Sequence, residues 1–129
     1  MRIQLRNIFV DDQEKALHFY TDVLGFVKHT DQQLGPFRWL TLVAPAQPDG
    51  PELHIEPSDN PAIRQIMQIM AEHGIAAATF AVNNIQHEFE RLQALGIEFE
   101  TEPTVAGPAT FAVFNDTCGN LIRIAQVDA

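Results

Sequence analysis

A single cysteine, Cys118, occurs in the 129 residues, so no disulfide can form within the chain. It falls on a turn with nothing basic beside it in sequence, which marks it as incidental rather than nucleophilic. Positive charge is scarce too: 8 Lys and Arg stand against 17 Asp and Glu, a formal charge of −9. Such a field repels nucleic acid and anionic membrane, so neither is expected as a partner. No run approaches the ~18 apolar residues of a membrane span. The opening Met1-Arg2-Ile3-Gln4-Leu5-Arg6 has neither the long apolar stretch nor the small-residue cleavage site of a signal peptide. A cytoplasmic location is therefore expected. No nucleophile–base pair for covalent catalysis is visible, and His18, His29, His73 and His87 show no H-x-H or H-E-x-x-H spacing.

What the chain does have is a repeat. A strand-like run ending Ile8-Phe9-Val10-Asp11-Asp12 leads into an amphipathic helix that stops at Leu24-Gly25-Phe26. Farther on, Phe80-Ala81-Val82-Asn83-Asn84 leads into a second helix that stops at Leu95-Gly96-Ile97. Val10 to Gly25 is 15 positions and Val82 to Gly96 is 14, with the two copies 71 to 72 residues apart. Two copies are too few for a solenoid. They imply two similar halves of one domain, 46% hydrophobic and long enough for a core, with a cleft between halves as a natural ligand site.

The first module is expected over residues 1–57, a linking helix over 58–74 and the second module over 75–129. Residues 3–10 read as a strand, Asp11 or Asp12 as a helix cap, and Ala16, Leu17, Tyr20 and Leu24 as the buried stripe of the helix. Strands follow at Phe26–Thr30, Phe37–Val43 and Glu52–Glu56, separated by an Asp31–Pro36 turn and a proline-rich connection. The linking helix, about 62–73, carries Met67 and Met70 beside Ile63 and Ile66 as packing residues. The second module repeats the order: strand Ala76–Val82, helix Ile85–Leu95, strand Ile97–Glu102, a Pro103–Pro108 turn, and strands Ala109–Phe114 and Asn120–Val127. The fold class is α+β, two βαβββ modules forming a curved mixed sheet around a cleft.

Two segments carry a resemblance. Phe9-Val10-Asp11-Asp12 with Phe19-Tyr20-Thr21-Asp22-Val23-Leu24-Gly25-Phe26 is similar to a "V-x-D…FY-x-x-x-LGF" opening. Asn115-Asp116-Thr117-Cys118-Gly119-Asn120-Leu121-Ile122 is similar to a closing "DPDGN-x-I" turn, with Thr117-Cys118 in place of Pro-Asp. In this order they resemble the vicinal-oxygen-chelate superfamily of glyoxalase I, bleomycin-resistance proteins, extradiol dioxygenases and fosfomycin-resistance enzymes. The resemblance implies a homodimer and, in metal-dependent relatives, four His, Gln or Glu ligands on the first and last strands of the modules. Those positions here hold Leu5, Ala77, Arg123 and either His54 or Ile55, of which the strand alternation favours His54. Leucine and alanine donate no lone pair, and a guanidinium repels a metal. No metal cofactor is therefore expected.

Alternation places Asn7, Trp39, Thr41, His54, Thr79, Thr110, Ala112, Phe114, Leu121 and Arg123 on the cleft side. Of these, Asn7, Trp39, His54, Thr79, Phe114 and Arg123 are the candidate ligand-binding residues. Trp39 could stack on a flat ligand, and Arg123 could fork two hydrogen bonds onto an anionic group or else pair with Glu56 or Glu98. His54, a candidate catalytic acid or base, could equally line the pocket. The expectation is a small-molecule-binding protein of the bleomycin-resistance type, holding a hydrophobic or aromatic, even anionic, ligand without a metal. The alternatives are a divergent glyoxalase-like lyase, isomerase or dioxygenase with Zn, Ni, Fe or Mn on His54 and Glu56 or Glu52, and a structural or regulatory dimer with a filled cleft.

Overall fold

The structure, a computed structural model, describes residues 1–127. The chain folds as two compact units, Met1–Gln65 and Ile66 onward, and the division falls inside the linking helix. Each unit holds a four-stranded mixed sheet with a helix packed on one face, so the expected pair of βαβββ modules is present. The end of the second module, residues 128–129, lies outside the described residues.

In the first unit β1 (Leu5–Val10), β2 (Val27–Leu34), β3 (Phe37–Val43) and β4 (Glu52–Pro57) lie in the order β1-β4-β3-β2. β1 pairs parallel with β4, which obliges the chain to cross over between them, while β4, β3 and β2 pair antiparallel. Ile8, Val10, Leu40, Leu42, Leu53 and Ile55 share the face that the helix covers, and all are buried. That settles the fourth strand in favour of His54, which stands on the opposite face beside Asn7 and Thr41.

The covering helix α1 (Gln13–His18) is capped by Asp12, whose side chain accepts from the Lys15 amide at 3.0 Å. Its continuation, Phe19–Val23, is a π-helical turn in which the Leu24 amide donates to the Phe19 carbonyl. A π-turn rotates the succeeding residues relative to their α-helical positions. The buried stripe is accordingly Ala16, Phe19 and Tyr20, while Leu17 and Leu24 are only half-buried. Gly25, at φ +89°, supplies the left-handed stop.

The linking helix α2 (Pro61–Glu72) buries no residue completely; Ile63, Met67 and Met70 are half-buried, while Ile66 and Ile69 are exposed.

In the second unit β5 (Ala78–Ala81), β6 (Phe99–Ala106), β7 (Ala109–Asn115) and β8 (Leu121–Val127) take the order β5-β8-β7-β6. Helix α3 (Ile85–Ala94) has a double cap: Asn84 accepts from the His87 amide at 3.0 Å, and the Gln126 side chain accepts from the Ile85 amide at 2.8 Å. Ile85, Phe89 and Leu92 pack the helix onto a face carrying Ala112, Phe114, Ile122 and Ile124. The β7–β8 turn closes on the fully buried Asp116, whose carboxylate accepts from the Cys118 and Asn120 amides and from the Asn120 side chain.

Two expected turns are shorter than the sequence implies. β2 runs on to Leu34 and β6 to Ala106, leaving turns at Gly35 and Gly107 with φ of +60° and +63°. Both are exposed edge strands, where polar residues such as Asp31 and Gln32 need no burial and pair through their backbones. Pro103 sits in an irregularity of the β6–β7 pairing, at an edge where a missing N–H is tolerated.

Candidate functional site

His54 lies at the centre of the site on the first sheet. Its neighbours in register are Asn7 on β1 and Thr41 on β3, and Trp39 lies two residues along the same face from Thr41. The imidazole and indole lie in tilted contact, with ring centroids 4.1 Å apart and planes at 42°. This contact leaves His54 5% exposed and Trp39 39% exposed, so the indole presents its remaining surface to solvent. Asn7 Nδ2 donates to Glu56 Oε2 at 2.6 Å. The other oxygen, Oε1, is 3.7 Å from His54 Nδ1, too far for a hydrogen bond, and that nitrogen is buried with no partner among the described residues. Thr41, also buried, donates to Glu52 Oε1 at 2.7 Å, which His29 Nδ1 meets at 3.1 Å.

The sheet opens beside this pair. β3 and β4 pair through Leu42, Thr41 and Leu40 and then separate, since Pro57 has no N–H to continue the ladder. The Gln13 side chain occupies the gap: its Nε2 donates to the Arg38 and Ile55 carbonyls at 2.8 and 3.0 Å, and its Oε1 accepts from the Arg38 amide at 3.2 Å. Past that gap lies a cavity of about 460 Å³, within the usual range of small-molecule sites. Leu34, Phe37, Trp39 and Pro57 give it an apolar lining; Arg38, His54, Glu56, Asp59 and Asn60 supply the polar groups. The Arg38 guanidinium is bound to Asp31 at 2.6 and 3.0 Å and to Glu14. These bonds hold the Arg38 pKa above its ordinary value and both carboxyls below theirs.

The second sheet brings Thr79 and Arg123 together as parallel neighbours, with Arg123 Nε donating to Thr79 Oγ1 at 2.9 Å. The guanidinium carbon stands 4.8 Å from the centroid of the Phe111 ring. The expected pairing with Glu98 is not formed, and Arg123 bonds to no carboxylate of its unit among the described residues.

Phe114 is a correction. It is fully buried on the helix-covered face, 5.5 Å from the Phe99 ring and in line with Phe89 of α3. Thr110 and Ala112 share that face. The hairpin pairs Val113 with Arg123 and Phe114 with Ile122, and cross-strand partners point the same way. Arg123 therefore shares its face with Val113 and Phe111. Both 111 and 114 are phenylalanine, which obscures the alternation of β7; counting outward from the β7–β8 turn is the signal that separates them. Gln13 and Asp59 carry no sequence signal as site residues, and Glu56 reads there only as an ion-pair or metal partner. Pro57 alone hints that the ladder ends beside them.

Of the four positions at which the resemblance implies ligands, three do not fit a metal: Leu5 and Ala77 offer no donor and Arg123 offers a cation, which leaves His54 alone able to ligate. Among the described residues no three His, Cys, Asp or Glu side chains come together as a metal site, and His54 Nδ1 and Glu56 Oε1 stand 3.7 Å apart. No carboxylate hydrogen-bonds His54 Nδ1. What the arrangement offers is an aromatic wall beside an open polar edge.

A two-module α+β chain of this kind belongs to the Glyoxalase/Bleomycin resistance protein/Dioxygenase superfamily, whose family model matches residues 2–124. Among its relatives is the uncharacterized protein YurT of Bacillus subtilis (strain 168), 49% identical over 126 residues, which are 98% of this chain and 99% of YurT. Of solved structures, UcmS2 superposes with a TM-score of 0.83 at 30% identity, covering 97% of both chains. TnmS3, an antibiotic binding protein from Streptomyces sp. CB03234, shares the fold with a TM-score of 0.78 at 24% identity, covering 99% of this chain and 97% of its own. Among the described residues no helix is long and apolar enough to cross a membrane.

Proposed function

We propose that this protein binds and sequesters a planar, largely hydrophobic small molecule without the help of a metal. The observation that carries this is the Trp39–His54 pair forming one wall of the 460 Å³ cavity, with an indole that is still 39% exposed and free to cover an aromatic ring. Stacking on that face adds about 0.5–1.5 kcal/mol beyond the area buried. The shared fold with an antibiotic binding protein agrees with a role in holding such molecules. Arg123, with Thr79 and Phe111, is a separate seat on the second unit for an anionic group. Assembly as a homodimer rests on the family resemblance.

Trp39 is the sole tryptophan, so its emission reports the site directly. Titration with acridine, a planar uncharged probe, is expected to quench that emission saturably in metal-free, EDTA-treated protein. Trp39→Ala, followed by calorimetry, is expected to lose binding at least tenfold. Binding that appears only after a divalent metal is restored would sink the metal-free reading, and absence of any saturable binding would sink the sequestration reading. Light scattering of the purified protein tests the dimer.

A further inference from the structure

We infer that the cavity of the first unit takes the cationic part of its ligand, a protonated amine or ring nitrogen carried on an aromatic body; this rests on the binding reading above. Three charged residues line the cavity: Arg38, Glu56 and Asp59. The one cation among them is already committed, since Asp31 accepts from Nε and Nη2 of the Arg38 guanidinium and Glu14 accepts from Nη1. Arg38 and its two partners together carry a net negative charge, so they offer nothing to an incoming anion.

The two carboxylates are in the opposite condition. Glu56 is fixed by a neutral donor, Asn7, which orients it without cancelling its charge. Asp59 is exposed and forms no ion pair among the described residues. An anion entering here would lose its water and meet uncompensated negative charge, whereas a cation would meet two partners. It would also lie against the half-open indole of Trp39, whose face attracts positive charge.

His54 supplies an independent mark of a missing partner. It is more than nine-tenths buried on the cavity wall, and its Nδ1 hydrogen-bonds to nothing while facing Glu56 Oε1 across 3.7 Å. Native structures rarely leave such an atom unsatisfied. An N–H donor seated against both atoms would satisfy the nitrogen and the carboxylate together.

The test compares neutral acridine with 9-aminoacridine, whose ring nitrogen is protonated and carries an N–H at neutral pH, by titration calorimetry on the full chain. The cation is expected to bind about tenfold more tightly. Glu56→Gln, which keeps an oxygen for Asn7, is expected to remove most of that preference. Asp59→Asn, on the exposed side, is expected to reduce it severalfold without touching the core. The preference is also expected to shrink as salt rises. Equal affinity for the two probes, or a preference that both variants leave intact, overturns the cationic assignment while the binding reading stands. Failure of both probes to bind overturns the cationic assignment and the binding reading together.

Discussion

Replacing Gln13 by alanine removes a side chain that stands where a strand would otherwise continue. Its amide donates to two carbonyls, of Arg38 and Ile55, and accepts from the Arg38 amide. Each such bond contributes about 1 kcal/mol net, and partly buried groups left without partners cost at least as much. The expected loss is about 2–3 kcal/mol, which moves a urea midpoint by about 1 M. The same gap forms the edge of the cavity, so the arrangement of Arg38 and Trp39 should loosen with it. Trp39 emission in the folded baseline is therefore expected to shift, and acridine affinity to fall severalfold. Gln13→Glu is the sharper variant because it preserves shape. It turns the donating nitrogen into an oxygen facing the Arg38 and Ile55 carbonyls, so the introduced carboxyl is held above its unfolded pKa. A group whose folded pKa is raised has its favourable contribution at low pH and loses it as pH rises. Gln13→Glu should thus be most damaging at neutral pH and partly recover in acid. A midpoint shift for Gln13→Ala below about 0.3 M, with unchanged Trp39 emission, would refute the role assigned to this side chain.

Other expectations concern the ion-pair network and the β7–β8 turn. The Arg38 guanidinium holds the carboxyls of Glu14 and Asp31 below their usual range, so its stabilising effect is present above the unfolded carboxylate values near pH ~4 and is lost as pH falls through the depressed folded values. Arg38→Gln should therefore flatten the acid limb of the urea midpoint against pH, and an unchanged limb would count against the network. Thr117 is the one non-glycine residue at positive φ, +64°, among those described. A β-branched side chain is disfavoured there, so Thr117→Gly is expected to raise stability by about 1 kcal/mol in a denaturation series. Asp116→Ala strands the Cys118 and Asn120 amides that the buried carboxylate serves, and should cost about 2–4 kcal/mol by the same measurement.

Much of the fold was legible because hydrophobic periodicity and helix stops are local signals. β3 from Phe37 to Val43 and the α3 start at Ile85 come straight from such patterns. Edge strands were legible only in part, since β2 and β6 continue through exposed polar residues whose pairing leaves no hydrophobic trace. The site divided along the same line. Asn7, Trp39 and His54 were visible from alternation, as were Thr79 and Arg123, because each has apolar neighbours that fix its parity. Phe114 was misplaced because β7 offers an aromatic residue on each face. The committed state of Arg38 and the uncompensated state of Glu56 depend on Glu14, Asp31 and Asn7, which are distant in sequence and meet only in the folded unit.

The π-helical turn at Phe19–Val23 also explains why the two copies of the repeat differ in length. Helical residues Gln13–Val23 number eleven in the first copy, against ten in Ile85–Ala94 of the second. A π-turn is the form an α-helix takes when it accommodates one additional residue without moving its ends. The first helix thus holds one residue more than its sister between equivalent strands, and the strands on either side keep the register that builds the His54 wall. Excising the exposed Asp22 should convert this segment to a plain α-helix matching its sister, with the sheet and the Trp39 environment unchanged. The duplicated modules can then drift in length at this turn without disturbing the cavity that the rest of the unit constructs.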